Sequence, residues 1–262
     1  MNYNRFFTII AVAAMCITLF STCKKDKDKS EKTFEWEPEM VYVEPGTFTM
    51  GCTDGDCGTS VETPVHQVTL TKGYYIGKYP ITQTQWKAVM GDNPSYHKGD
   101  DQPVEAVSWE KIQAFIEKLN KMTGKKYRLP TEAEWEFAAR GGNQSKGYKY
   151  SGSDNIDDVA WYGAFAGGNS GNAPHSVGLK QPNELGIYDM SGNIWEYCSD
   201  WLGVYSDEAQ TDPQGPAVGS YRVLRGGGFT NSAQQCRVAY RNHDDSAHPI
   251  SRNVGLRVVR TL

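Results

Sequence analysis

From residue 40 onward the apolar positions change period several times. In MVYVEPGTFTMG, Val41, Val43 and Phe48 alternate with polar neighbours across Pro45-Gly46, which predicts a strand, a turn and a second strand. HQVTL and GYYIGKY repeat the short pattern and predict another strand pair. ITQTQWKAVMG then shifts to helical spacing. Thr82 is placed to cap it, Gln85 completes a capping box, Trp86, Val89 and Met90 face inward, and Gly91 ends it. In VSWEKIQAFIEKLNKMTG the spacing of Trp109, Ile112, Ile116 and Leu119 predicts a longer helix that stops at Gly124. LPTEAEWEFAARGG predicts a third, with Thr131 and Glu134 as its capping box. Beyond Gly142 the periodicity lapses into Gly, Asn, Ser and Asp, with aromatic segments such as VAWYGAF, and VGLRVVR predicts a last strand.

This order implies an α+β architecture: early short helices, then a long irregular region around small strands. Irregular segments of that length need disulfides or bound cations to hold them. Composition agrees, at 12% aromatic with 27 Gly and 12 Pro. The formal charge of −4 supplies no basic field, which argues against a nucleic-acid partner.

The N-terminus, MNYNRFFTIIAVAAMCITLFSTC, carries only Arg5 ahead of an uncharged run from Phe6 to about Phe20. A membrane anchor needs roughly 20 apolar residues. This run is shorter and ends in small residues, as a secretory signal does. Phe20-Ser21-Thr22-Cys23 resembles a bacterial lipobox, with Phe20 and Thr22 looser than usual, and implies a lipid-bearing Cys23. The charged run KKDKDKSEK, Lys24 to Lys32, has nothing to bury and is expected to be a solvated tether. It also resembles surface-export signals of some Gram-negative lipoproteins. The expected organisation is a signal at residues 1–22, a lipidated cysteine and tether at 23–38, and one domain at 39–262. The expected location is the outer membrane, held by the lipid and facing the periplasm or the cell surface.

With Cys16 in the signal and Cys23 lipidated, Cys52, Cys57, Cys198 and Cys236 remain, and four cysteines allow three pairings. Cys52 and Cys57 lie in GCTDGDCG, a turn able to close a small loop, which leaves Cys198 with Cys236. Two disulfides suit an oxidising compartment. A competing reading makes the second pair thiolates that hold copper or zinc.

YRLPTEAEWEFAAR, LGIYDMSGNIWEYCSDW, RVLRGGGF, CRVAYR and NVGLRVVR, in this order, resemble the sulfatase-modifying factor or formylglycine-generating enzyme family from about Met40 to Arg260. The resemblance implies a variant of the C-type lectin fold, low in regular structure and often calcium-stabilised. It also implies an oxidase that converts a sulfatase cysteine to formylglycine with a copper-holding cysteine pair. Monovalent copper is soft and wants thiolate ligands. Here the place of the first cysteine, after Gly226-Gly227-Gly228, is taken by Asn231. Counting five residues on reaches Cys236 and keeps one member of the pair. Aligning on CRVAYR, with Arg237 and Arg241, instead puts Cys236 three residues past the second catalytic place. Under either count the pair is missing, so copper is not expected.

The resemblance further implies a calcium site in DMSGNIWE. Asp189 and Glu196 would supply carboxylates, Gly192 and Ile194 backbone carbonyls. His66, His97, His175, His243 and His248 show no metal-binding spacing and are read as structural. Phe229, Asn231, Gln234, Tyr240, His243 and Asp244, within residues 229–248, would suit an exposed face for a protein or glycan ligand, as in lectin-like display proteins. The functional expectation is a binding or envelope-assembly module without oxidase chemistry. A formylglycine-generating-type oxidoreductase is the competing expectation, and a surface display protein with a variable face the third.

Overall fold

The computed structural model describes residues 34–262 except 54, 56, 58, 59, 164, 166 and 246–251. The expected signal, the Cys23 lipidation site, the charged tether and His248 lie outside the described residues. No helix among the described residues is long and apolar enough to cross a membrane.

Eleven strands alternate with four helices among the described residues. The first half carries β1 (Met40–Val43), β2 (Gly46–Met50), β3 (His66–Leu70), β4 (Tyr74–Gly77), α1 (Gln83–Met90), α2 (Trp109–Thr123), β5 (Tyr127–Arg128) and α3 (Glu132–Ala139). The second carries α4 (Ile156–Val159), β6 (Trp195–Trp201), β7 (Gln210–Thr211), β8 (Tyr221–Arg225), β9 (Asn242–Asp245), β10 (Val254–Gly255) and β11 (Val259–Thr261). They form sheets of order β1-β4-β11-β5, β10-β6-β8-β9 and β2-β3-β7.

The helices begin where the side chains can satisfy the first free backbone amides. Thr82–Gln85 and Thr131–Glu134 are reciprocal capping boxes, and Ser108 accepts the Lys111 amide at the start of α2. Gly91 and Gly124 end α1 and α2 in the left-handed region. Trp86 and Phe115 stack with centroids 4.9 Å apart and join α1 to α2. A second core, with Trp135, Phe137, Val68, Tyr74 and Val223, sets α3 against the sheets.

Two expectations change. VGLRVVR is not one strand: Leu256–Val258 separate β10 from β11, because Arg257 turns inward to an acidic partner. Irregular as it is, the second half keeps a short helix and strands as brief as β7. The domain also starts before residue 39. Glu37 is ion-paired to Lys125 at 2.6 Å, and Phe34 stacks on Trp36.

Candidate functional site

After β8 the chain must reverse sharply, and Gly226 and Gly227 do this at φ of 96° and 75°. A Cβ at Gly227 would lie 2.6 Å from Cys236 Sγ, so glycine is required on steric grounds as well. Asn231 closes the loop. Its Oδ1 accepts the Gly228 amide at 3.1 Å, and its Nδ2 donates to Gln235 Oε1 at 3.0 Å. The Asn231 carbonyl accepts the Gly163 amide at 2.7 Å. Phe229 is buried, taking the edge of His97 at 5.3 Å and accepting Ser170 Oγ on its carbonyl at 2.7 Å.

Cys52 and Cys57 form the expected disulfide, but Cys198 and Cys236 are free, buried thiols. Their packing separates them. Cys198 sits with Trp135 and Val223 in one cluster, Cys236 with Tyr150, Ile156 and Val159 in another. Burial pushes the Cys236 thiol up to about 12, opposed more weakly by the Gly192 amide, and holds Cys198 well above its ordinary value. Both are therefore protonated near neutral pH, whereas the soft-metal reading requires thiolates.

Three of the four expected calcium donors, Asp189, Gly192 and Glu196, are committed elsewhere. Both Glu196 oxygens accept from Arg257, at 2.7 and 3.0 Å, and Oε2 also accepts Trp135 Nε1 at 2.7 Å. The Gly192 carbonyl accepts the Ile194 amide, and Asp189 Oδ2 accepts the Gly178 amide. A guanidinium already neutralises the glutamate, and with Asp189 and Gly192 also engaged the set does not fit a divalent cation that needs six to eight oxygens.

The expected ligand face is only partly a surface. Gln234 and His243 are exposed, and His243 lies tilted against Tyr221 with centroids 4.7 Å apart. Phe229 is buried, Tyr240 lies against Trp195, and Asp244 accepts the Tyr197 hydroxyl at 2.6 Å. Sequence reading missed Tyr96, which is 58% exposed under the Arg252 guanidinium at 4.0 Å. Arg252 neighbours Asn253, whose amide donates to Thr230 beside the glycine loop. The signal was Tyr96-His97 following Asn93-Pro94, an aromatic pair outside any helical or strand period.

Residues 25–262 match the family described as "Sulfatase-modifying factor enzyme 1-like domain". The chain belongs to this family. It is 34% identical to "Chaperone protein LppX" of Paenibacillus barcinonensis, over 98% of both chains. It is 36% identical to the formylglycine-generating enzyme of Streptomyces coelicolor over 68% of this chain, but spans only 58% of that enzyme. Among solved structures, "Treponema denticola variable protein 1" superposes with a TM-score of 0.76 at 32% identity, covering 85% of this chain and 95% of that one.

In this sulfatase-modifying-factor domain the glycine loop rests on a buried ionic frame. Arg225 bridges Glu132 at 2.8 Å and Glu136 at 2.6 Å. Arg237 holds both oxygens of Glu62, and Arg241 both of Glu132. The arginines stood out in sequence as motif positions. Their acids did not, although Glu132 and Glu136 lie four apart on one face of α3.

Proposed function

We propose that this chain acts by contact: a non-oxidising recognition module, exported and tethered to the envelope through Cys23, whose partner is a protein. The reading rests on one observation above all, the asparagine at the first cysteine place. Asn231 is tied into the loop by both ends of its amide, and the neighbouring Cys236 is buried and protonated. A copper-thiolate centre has neither its first ligand nor an accessible second. The full-length likeness to a protein named as a chaperone, and the likeness to a named variable protein, support a contact role. The exposed Tyr96–Arg252 shelf beside Thr230 offers aromatic area and a cation, the groups that dominate protein interfaces.

The test is to incubate the chain with monovalent copper, oxygen and a cysteine peptide of sulfatase type, while envelope partners are captured by crosslinking from Tyr96. Expected are no aldehyde on the peptide, no copper retained against a competing chelator, and a crosslinked protein lost with Tyr96→Ala and Arg252→Glu. Retained copper that disappears in Cys236→Ser would restore the oxidase reading.

A further inference from the structure

A second site borders the ionic frame at Glu132 and Arg241, in a cleft of about 270 Å³ between the end of β6, β3 and the loop at 203–216. Its floor is Asp200, 4% exposed. Asp200 Oδ2 accepts the Glu132 amide and the Ser199 hydroxyl, both at 3.0 Å. No hydrogen bond among the described residues reaches Oδ1, although the side chain borders the cleft. The neighbouring Glu132 and Arg128 are both ion-paired. Glu132 is taken by Arg225 and Arg241, and Arg128 by Glu134. Arg222 lies over Trp201 at 3.4 Å and donates to the Ser199 carbonyl, not to Asp200. Asp200 is thus left without an ion pair, and Arg222, which also has none among the described residues, acts on it only through space. Desolvation, then Glu132, raise Asp200 to about 7, as befits a buried carboxylate with no ion-pair partner.

The walls narrow the ligand. Met50, Trp201, Val204, Tyr205 and His66 give apolar and aromatic surface, while Gln214 stands at the exposed rim. The volume falls just short of the roughly 300 Å³ at which drug-sized pockets begin, so it suits one side chain or chain end. A guanidinium pairs best with two coplanar acceptor oxygens. A calcium ion needs six or more oxygens. A primary ammonium needs one carboxylate oxygen, gains from aromatic rings, and can lay its stem along an apolar wall. We infer that this cleft binds a primary ammonium group carried on a short apolar stem, with Asp200 Oδ1 as its acceptor.

Lysine side chains and chain N-termini both carry that chemistry. Titration calorimetry on the full chain in detergent, with Nα-acetyl-lysine-N-methylamide, glycinamide and Nε-acetylated lysine amide as probes, separates them. The better-bound amine names the source, and the Nε-acetylated probe should not bind. Asp200→Asn should weaken the preferred amine about tenfold to a hundredfold, the usual worth of one charge-assisted hydrogen bond. Asp200 also caps α3, so circular dichroism must show that this variant folds. Gln214→Lys supplies a rival ammonium at the exposed rim without touching the core, and should weaken binding comparably. The assignment is overturned if the wild type takes up neither amine at millimolar concentration, or if folded Asp200→Asn and Gln214→Lys chains bind as tightly as wild type.

Discussion

Asn231 and the buried arginines divide the local work between them: one fixes the loop's shape, the others hold what lies beneath it. Arg237 and Glu62 are both fully buried. Arg237→Met would strand the Glu62 carboxylate, which costs about 3 to 5 kcal/mol, read as a lower urea midpoint. The thiols give a second residue-scale prediction. Peptide mapping after iodoacetamide should find Cys198 and Cys236 unmodified in the native chain and both alkylated after denaturation. Labelling of Cys236 in the native state would contradict its burial. Here sequence reading reached its limit. Counting cysteines yields a pairing by elimination, but the cores that claim Cys198 and Cys236 are assembled by residues far apart in the chain. The partner of Glu196 was illegible for the same reason, since Arg257 lies 61 positions away.

Elements were more legible than contacts. The boundaries of α1, α2 and α3 follow from caps only three residues long, so local sequence specifies them. Thr131→Ala should therefore cost about 0.5 to 2 kcal/mol, measured by thermal melting, with the fold kept. Strands were legible where they alternated, as in β1 to β4. β7 was not, because two residues, Gln210 and Thr211, carry no period. It exists through parallel pairing with Val68 and Thr69, reinforced by Asp212 accepting the Thr71 amide at 2.8 Å.

Across the whole molecule, charge burial sets the response to pH. Asp200 titrates higher in the folded chain than in the unfolded one, so between about pH 4 and 7 the folded state holds more protons. Its contribution is therefore greatest at the acid end and is lost as pH rises through about 7. Asp200→Asn should remove a slope on the order of 2 to 4 kcal/mol over that window, seen in urea midpoints at pH 4.5 and 7.5. Metal dependence gives a further check. With Glu196 neutralised by Arg257, adding calcium or a chelator should leave the melting temperature unchanged, and a calcium-induced rise of several degrees would show that the ion displaces the arginine.

The strand at Val259–Thr261 lies inside its sheet, between β4 and β5, rather than at an edge. Two segments translated far earlier thus wait for residues 259–261 before they can be joined. A chain not yet extended that far has no way to close that sheet. Commitment to the native topology is deferred until that strand has been made.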